Sequence, residues 1–299
     1  MVGERQNVWF LRLLKTPLYL LALSVMVPFY WMFTGAFKSV PELKQNPPTF
    51  YIHDFTLGNF YNSKLGVSKD ILDQGEGLFQ KFPNGLGFFG YMLNSLLITA
   101  SVTTCCLLIA SLVSYVLVKR PFPGSTVLFT LLLASMMIPW EVTLIPNFLM
   151  VRDLGWINTY SALTIPLMAK AFVVFYFRQA ILAIPTDLVD SARIDGANDL
   201  RIWWQIVTPL LRPAMAAIAI PVALGVWGDL LWAILVVNDE SHSTLPMILA
   251  QLAANLNYSP SGAGVVMAAS LIVSVPAVVF FALFQRQFVQ GLSAGATKG

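Results

Sequence analysis

The chain has 299 residues, of which 57% are hydrophobic and 11% are charged, and its mean hydropathy is +0.71. Soluble domains typically carry about 25% charged residues, so the composition argues against a soluble globular enzyme, and disordered chains contain far fewer apolar residues. The formal net charge of +3 is too small an excess to indicate a nucleic-acid-binding protein. The composition therefore predicts an all-α, polytopic protein surrounded by membrane lipid.

Long stretches without charge predict six transmembrane helices. A spanning helix needs about 20 mostly apolar residues, because each residue advances about 1.5 Å through about 30 Å of hydrocarbon. The predicted spans are about 18–37, 91–118, 126–150, 159–183, 214–237 and 263–285. A loop of residues 38–90 follows the first span, and a loop of residues 184–213 separates the fourth from the fifth. We expect one transmembrane domain that covers residues 1–299.

Lys and Arg in short loops predict the orientation, because these residues are enriched on the cytoplasmic side. One set of loops and ends holds nearly all of them: Arg5, Arg12, Lys15, Lys119, Arg120, Arg193, Arg201, Arg212, Arg286 and Lys298. The opposite short loops contain only Arg152, and the 238–262 loop has no Lys or Arg. Both termini and the 184–213 loop are therefore predicted to be cytoplasmic, and the long 38–90 loop external. The first apolar stretch is too long for a cleaved signal peptide, so we interpret it as an uncleaved span in the cytoplasmic (inner) membrane.

The cysteines and histidines do not suggest a metal site. Cys105 and Cys106 are adjacent within an apolar run, without the spacing of metal ligands or of a framework disulfide. His53 and His242 lie in separate polar segments with no Cys or His cluster nearby. We expect this chain to bind no metal.

The 184–213 loop has the sequence features of two short helices that meet at a glycine. The first helix can begin after Pro185 and end at Gly196, which favours a helix C-terminus. A second helix can be capped by Asn198 or Asp199. The loop is therefore more ordered than an ordinary connection between two membrane spans.

Two interpretations of this loop remain open at this point. Its first helix carries both apolar and charged side chains, namely Leu188, Ala192 and Ile194 beside Asp190, Arg193 and Asp195. A short helix with both kinds of side chain suits rigid docking into a groove on another protein. The same pattern suits an amphipathic pair lying on lipid headgroups.

The loop contains a motif that resembles the EAA motif of ABC importer permeases. That pattern is Glu-Ala-Ala, three residues, Gly, nine residues and Ile-x-Leu-Pro. The matching positions are Asp190, Ser191, Ala192, Asp195, Gly196, Ala197, Ile206 and Pro209. Asp190 replaces the Glu with a side chain one methylene shorter, and Thr208 replaces the Leu, while the spacing from Gly196 to Pro209 is intact.

Further segments are similar to the carbohydrate-type group within that family, which includes maltose permeases. They are Asn94-Ser95, residues 137–139 with Pro146, residues 154–166, residues 226–232, residues 244–246 and the ending 285–299. The 226–232 segment resembles a Trp-Asn-Asp-x-x-Trp pattern, with Gly228 where Asn is usual. The resemblance therefore extends along nearly the whole chain.

The resemblance implies a subunit that moves a mono- or oligosaccharide by alternating access. The implied partners are a second homologous permease, two cytoplasmic ATPase subunits and an extracytoplasmic solute-binding protein. The motif in the 184–213 loop would dock into the ATPases, with Asp190 as a charged contact and Gly196 as the elbow. This chain has no Gly-x-x-x-x-Gly-Lys-Ser/Thr phosphate loop, so we expect ATP and Mg to bind the partners, and no enzymatic activity or cofactor here.

A substrate path requires polar groups within the membrane, where ionisable residues are functional candidates. The candidates are Trp227, Asp229, Trp232, Glu141, Asn147 and Lys170, with Trp140 as a weaker one. The two tryptophans of the 226–232 segment could stack on a sugar while Asp229 accepts hydrogen bonds from its hydroxyls. Alternatively, Glu141 lies at the outer interface, Lys170 snorkels or neutralises a neighbour, and the tryptophans pack between helices.

Other functions remain as alternatives. The solute could be a glycerol phosphate, a polyol or a peptide. An ion-coupled secondary carrier would show inverted repeats with broken helices and no docking loop. The aromatic residues of the 38–90 loop, which include Phe79 and Phe82, could contact the binding protein or form a self-packed cap.

Overall fold

The computed structural model describes residues 8–61, 87–256 and 260–296, and among these the side chains of 15–60, 88–254, 262–282 and 285. These ranges are almost entirely helical, and within them the only β feature is an isolated bridge between Lys38 and Phe55. Phe79 and Phe82 of the predicted external loop lie outside the described residues. The same holds for Arg5 and for the end of the chain from residue 297.

The helices follow the charge-free stretches of the sequence. They are α1 (Val8–Ala36), α2 (Val40–Leu43), α3 (Gly58–Tyr61), α4 (Gly87–Lys119), α5 (Ser125–Ser135), α6 (Trp140–Asp153), α7 (Tyr160–Thr164), α8 (Ala171–Leu182), α9 (Thr186–Ile194), α10 (Asp199–Ile202), α11 (Thr208–Leu210), α12 (Arg212–Trp227), α13 (Leu231–Val236), α14 (Leu245–Leu256) and α15 (Pro260–Ala296). A 3-10 turn (Ile165–Leu167) follows α7, and a π turn (Trp203–Val207) joins α10 to α11.

Three helices of the described chain are single segments long and apolar enough to cross a membrane. Their apolar parts are Lys15–Ala36, Phe88–Lys119 and Gly262–Ala282. Three further spans are possible if each of three bent helix pairs counts as one: 125–135 with 140–153, 160–167 with 171–182, and 199–210 with 212–227. The bends are 105°, 46° and 78°. Length and composition therefore allow up to six spans.

The third, fourth and fifth predicted spans are not continuous helices, which corrects the sequence prediction for 126–150, 159–183 and 214–237. The third is broken before Pro139, which cannot donate the backbone hydrogen bond that a helix interior requires. The fourth is broken at Lys170, whose backbone is extended. The fifth begins at Arg212 and is interrupted after Trp227. Polarity patterns locate apolar stretches but do not locate such breaks.

One compact unit of the structure comprises residues 1–82 and 249–274. Its small core consists of Ala36, Phe60 and Ala268. The segment after α1 is organised around Glu42, whose carboxylate accepts hydrogen bonds from the Thr49 hydroxyl and from the backbone N–H groups of His53 and Asp54. Burial would raise the pKa of Glu42, but these hydrogen bonds and the charge of Lys38 outweigh burial, so the pKa lies below its ordinary value.

The other compact unit comprises residues 83–248 and 275–299. Its central element is α4, which packs most extensively against α8 and α12. One side of α4 is buried along its length by residues such as Val102, Cys106 and Ala110. At about 1.5 Å per residue, this uninterrupted helix is about 50 Å long. The unit thus contains one rigid element that runs between its two ends.

Candidate functional sites

The 184–213 loop contains two short helices on either side of Gly196. Gly196 has φ +82°, a conformation that glycine adopts without steric cost, and it ends α9. The backbone N–H of Ala197 donates to the carbonyl of Ala192 at 3.0 Å, which closes the end of the helix. Asn198 caps α10, because its side chain accepts a hydrogen bond from the backbone N–H of Arg201 at 2.8 Å.

The buried anchor of α9 is Val189, which sequence reasoning did not select. Val189 is completely buried in a cluster with Ile184, Ile202 and Trp203. Leu188 and Ile194, which the sequence analysis placed together with Ala192 as an apolar side, are 46% and 86% exposed. These large apolar side chains are therefore available for contact beyond this chain.

Half of the eight motif residues of this loop are exposed. Asp190, Ser191, Asp195 and Gly196 are exposed, whereas Ala192, Ala197, Ile206 and Pro209 are partly buried. Asp190 accepts a hydrogen bond from Arg193 Nη1 at 3.0 Å, and its side chain remains 54% exposed. A half-exposed ion pair on the outside of α9 can still accept a partner's donor.

A polar cluster lies beneath the loop at the end of α4. Tyr115 donates from its hydroxyl to Asp199 Oδ1 at 2.9 Å, and Arg120 Nε donates to Asp199 Oδ2 at 2.7 Å. Arg193 Nη2 donates to the backbone carbonyl of Lys119 at 2.9 Å. Burial would lower the pKa of Arg193, but hydrogen bonds and charge interactions with Tyr115 and Asp199 outweigh burial and hold the pKa above its ordinary value.

Three helix breaks meet at one cavity of about 320 Å³. The side chains and backbone that line it are Trp140, Leu167, Lys170, Gly225, Gly228, Asp229, Leu230 and Leu231. Trp140 is the first residue of α6, Lys170 immediately precedes α8, and Gly228–Leu230 connect α12 to α13. Non-helical backbone at membrane depth is tolerated where it is buried in protein or lines a cavity. The breaks therefore place an ammonium, a carboxylate and an aromatic ring around one space.

Asp229 also stabilises the helix that follows it. Its Oδ1 accepts a hydrogen bond from the backbone N–H of Trp232 at 3.2 Å in the first turn of α13. The second carboxylate oxygen retains its acceptor capacity for the cavity.

The two predicted tryptophans do not line this cavity, although Trp232 lines a small adjoining pocket together with Asp229 and Leu167. Trp232 is completely buried, its Nε1 donates to the carbonyl of Ala162 at 2.9 Å, and its ring meets Trp140 edge-on at 6.0 Å. Trp227 is 8% exposed and lines a separate pocket of about 60 Å³. Both rings are packed between helices in this structure, so their stacking on a substrate beside Asp229 stays a prediction.

The remaining path candidates lie on α6. Glu141 is exposed and Asn147 is partly buried, and neither lines the cavity. Trp140, the weaker candidate from the sequence, is 37% exposed and does line it. Of the six principal candidates, the structure therefore brings Lys170 and Asp229 together.

The Asn94-Ser95 pair fastens the segment before α14. Asn94 Nδ2 donates to the backbone carbonyls of Ser241 and Ser243 at 2.9 and 3.1 Å, and Asn94 Oδ1 accepts from the Tyr160 hydroxyl at 2.7 Å. Ser95 Oγ accepts from the backbone N–H of Leu245 at 2.8 Å. Asn94 and Ser95 therefore have the same structural role, because both bond to the backbone of the segment 241–245.

Comparison with known proteins places the chain in a family. Residues 106–293 match the family described as the inner membrane component of binding-protein-dependent transport systems. The match covers more than half of the chain, and the chain belongs to this family. The similarity to ABC-type permeases that the sequence indicated is thereby confirmed, and the family consists of transport components of the inner membrane rather than of enzymes.

Three curated relatives are 30% to 37% identical to this chain over the aligned residues. The arabinooligosaccharide transport permease AraQ of Halalkalibacterium halodurans is 37% identical over 69% of this chain and 73% of its own length. The lactose transport permease LacG of Rhizobium radiobacter is 30% identical over 92% of both chains. The sn-glycerol-3-phosphate transport permease UgpE of Yersinia enterocolitica is 34% identical over 68% of this chain and 73% of its own.

A solved structure shares the fold. A chain of a bacterial ABC transporter involved in the import of the acidic polysaccharide alginate superposes with a TM-score of 0.79 at 23% identity. The superposition covers 96% of this chain and 99% of the other. The fold is therefore that of an ABC importer permease.

Proposed function

We propose that this chain is a transmembrane subunit of an ABC importer that moves a carbohydrate across the cytoplasmic membrane by alternating access. The observation that carries the proposal is the cavity at the three helix breaks, with Lys170 and Asp229 on its wall. Its volume of about 320 Å³ lies at the lower end of small-ligand pockets. Relatives named for arabinooligosaccharide and lactose transport support a carbohydrate solute.

The polar groups of the cavity suit a neutral, hydroxyl-rich solute. A carboxylate accepts hydrogen bonds and an ammonium donates them, so Asp229 and Lys170 together match hydroxyls that do both. Trp140 adds an aromatic surface with 37% of its area exposed. A sugar presents both hydroxyls and an apolar ring face to such a wall.

Docking of the 184–213 loop on a cytoplasmic ATPase is the second part of the proposal. Helices that lie on headgroups carry Lys and Arg on the polar face, and the cytoplasmic leaflet is anionic. The two helices of residues 186–202 have the opposite balance, because their two basic residues, Arg193 and Arg201, are outnumbered by Asp187, Asp190, Asp195 and Asp199. Together with the exposed Leu188 and Ile194, this acidic character favours a protein partner over a lipid surface.

The proposed assembly contains a second homologous permease, two ATPase subunits that bind ATP and Mg, and an extracytoplasmic solute-binding protein. Exposed apolar side chains on α5, on α6 and in the break between them, such as Leu131, Ile145 and Met137, suit lipid or a second permease. Both termini of this chain would be cytoplasmic, on the same side as the 184–213 loop.

A glycerol phosphate is the second candidate solute. The observation that favours it is Lys170 on the cavity wall, since an ammonium binds phosphate as a point charge. The relative named for sn-glycerol-3-phosphate transport supports the same alternative.

Membership of the binding-protein-dependent transport family makes an ion-coupled secondary carrier the weaker alternative. Broken helices were expected to distinguish a carrier from an ABC permease, and this chain has them while belonging to the ABC-type family. Helix breaks are therefore compatible with either class and do not separate them.

Reconstitution tests the proposal directly. The chain would be expressed with its neighbouring partner subunits, purified as a complex and placed in proteoliposomes. We expect vanadate-sensitive, ATP-dependent uptake that one saccharide stimulates more than sn-glycerol 3-phosphate does. Uptake by this chain alone, driven by an ion gradient, would refute the ABC mechanism.

The docking role has its own test within the same system. Asp190→Lys or Gly196→Asp should abolish uptake while the protein remains in the membrane, because both changes alter the exposed part of the loop. Unchanged uptake in the double variant contradicts this role.

A further inference from the structure

The end of α4 is bonded to both short helices of the 184–213 loop. Lys119 Nζ donates to the backbone carbonyl of Ile184 at 2.7 Å, just before α9 begins. Tyr115 and Arg120 bind the two carboxylate oxygens of Asp199, the first residue of α10, at 2.9 and 2.7 Å. The 184–213 loop is thus bonded to the end of α4 on both sides of Gly196, at Ile184 and at Asp199.

Arg193 completes this attachment from α9. Its Nη2 donates to the backbone carbonyl of Lys119 at 2.9 Å and contacts Asp199 Oδ1 at 3.4 Å, while its Nη1 donates to Asp190 at 3.0 Å. Hydrogen bonds between charged groups are about twice as strong as neutral ones. Arg193 therefore connects the exposed Asp190 of the loop with the end of α4.

Apolar packing beneath these bonds resists sliding of the loop along α4. Tyr115, Ile202 and Val207 are at most 1% exposed and belong to one buried cluster. Trp203 Nε1 also donates to Ser111 Oγ on α4 at 3.3 Å. Displacement of the loop relative to α4 would expose this cluster and break its hydrogen bonds.

Towards its other end, α4 is attached to the segment 241–245, which lies just before and at the start of α14. Asn94 and Ser95 bind the backbone of Ser241, Ser243 and Leu245. Between the two attachments, α4 is one helix with no internal proline. Rigid secondary elements can carry energetic coupling between distant sites, and α4 connects the two attachments without a break.

We propose that Asp199, with Tyr115, Arg120 and Arg193, forms a joint that makes α4 move with the 184–213 loop, and that α4 carries this motion to the 241–245 segment. The inference rests on the proposed docking function. The joint differs from the docking surface in its partners, because Asp199 and Arg193 bond to Tyr115, Lys119 and Arg120, whereas Leu188 and Ile194 extend away from this chain. Its members are positioning residues that act through α4.

Asp199→Asn and Tyr115→Phe test the joint in the reconstituted transporter. The measurements are co-purification of the ATPases, ATP hydrolysis and the amount of solute taken up per ATP. We expect Asp199→Asn to retain the ATPases and to lower uptake per ATP by about 2- to 30-fold, the range of coupling changes measured for such residues. Tyr115→Phe removes one hydroxyl and keeps the ring, so its effect should have the same sign and be smaller.

Arg152→Gln is the control. Arg152 lies outside the 184–213 loop, is exposed, and bonds through its side chain to Asp153 at 2.8 Å. Uptake per ATP should stay at the wild-type value in this variant. Loss of folded protein lowers uptake and ATP hydrolysis by the same factor, so it leaves uptake per ATP unchanged. A change in uptake per ATP therefore reports on the joint and not on the amount of folded transporter.

A second readout follows the motion itself. Ser241→Cys places a reactive thiol on the exposed position next to Asn94, in a chain whose Cys105 and Cys106 are replaced by Ala. Its rate of modification by a charged maleimide should depend on ATP in the otherwise wild-type transporter and become independent of ATP with Asp199→Asn. This readout does not require transport to be intact.

The outcomes separate the two proposals. Unchanged uptake per ATP in Asp199→Asn and Tyr115→Phe, or ATP-dependent modification that survives Asp199→Asn, overturns the joint. Loss of the ATPases from Asp199→Asn assigns Asp199 to the docking surface and also overturns it. If the wild-type chain co-purifies with no ATPase, the proposed function itself fails.

Discussion

Lys170 and Asp229 line one cavity, although each lies at the break of a different membrane helix. An ionisable side chain at such a depth requires a polar neighbour or a polar solute. The cavity provides open space beside both groups. The two helix breaks thus bring an ammonium and a carboxylate to one wall.

The first prediction concerns this pair. Lys170→Gln and Asp229→Asn each remove one charge with little change of shape, and each should lower uptake by about 10-fold or more, as expected for the loss of a hydrogen bond to a charged group. The backbone bond from Trp232 survives in Asp229→Asn, because the amide oxygen still accepts it. Uptake of labelled solute into proteoliposomes measures the effect.

Asp153→Asn is the control for the charge change. Asp153 is exposed, pairs with its neighbour Arg152 and does not line the cavity. Its uptake should match the wild type. Equal uptake in all three variants would remove the cavity from the substrate path.

The two tryptophans that meet edge-on lead to a second prediction. Trp232→Ala empties a fully buried site and removes the hydrogen bond to Ala162, so the free energy of unfolding should fall by about 3–5 kcal/mol. Trp140→Ala removes a partly exposed ring and should cost much less stability while lowering uptake more per folded molecule. Thermal unfolding in detergent, followed by uptake of the surviving protein, measures both effects.

The reverse ranking would contradict the assignment. If Trp140→Ala unfolds the protein and Trp232→Ala leaves a stable but inactive transporter, then Trp232 rather than Trp140 serves the cavity. Replacement of each ring by Phe controls for packing, since Phe retains most of the apolar volume.

The sequence predicted the helical class and the position of the apolar stretches because hydropathy is a local property. Hydropathy did not predict the breaks near Pro139 and Lys170. Pro139 is itself a local signal for a break, whereas Lys170 gives no such signal and its break depends on the packing of neighbouring helices. The three-way meeting of these breaks at one cavity is a tertiary feature without a local signal.

The same distinction applies to the 184–213 loop. Gly196 and Asn198 signal helix ends through their own backbone and side chain, so the two short helices were predictable from the sequence. The bond between Tyr115 and Asp199 joins residues 84 positions apart, and no spacing rule within one helix relates them. Val189 was missed because one buried face of a nine-residue helix gives too short a pattern to identify.

The third prediction uses the backbone conformation of Gly196. A β-carbon at this position would meet no atom within 4 Å, so substitution tests the conformation alone. At φ +82°, Gly196→Ala should cost about 1–2 kcal/mol, and Gly196→Asn should cost less, because Asn adopts this region more readily. We expect the Gly196→Ala variant to co-purify with less ATPase than the wild type, and the Gly196→Asn variant to co-purify with more ATPase than Gly196→Ala does.

Side-chain size gives the opposite order, which makes the comparison decisive. Asn is larger than Ala, so a docking groove that excludes any side chain at the elbow would tolerate Ala better than Asn. That result would show that contact with the partner, rather than the angle between α9 and α10, determines why glycine is needed here.

The fourth prediction concerns Asn94, which is 5% exposed and satisfies two backbone carbonyls and the Tyr160 hydroxyl at once. Asn94→Ala leaves these groups without their partner in a buried place, so the free energy of unfolding should fall by about 1–3 kcal/mol. Ser95→Ala removes the acceptor for the Leu245 N–H and should act in the same direction. Thermal unfolding in detergent measures both.

Because Asn94 and Ser95 hold the same 241–245 segment, their effects should not add. Once one substitution has released the segment, the second removes fewer remaining interactions. The free energy of unfolding of the double variant should therefore fall by less than the sum of the two single losses. Ser135→Ala is the control, since this exposed hydroxyl bonds only to the Leu132 carbonyl of its own helix. Additive losses would mean that the two residues stabilise separate structures, and α4 would then lack the single attachment at this end that the proposed transmission requires.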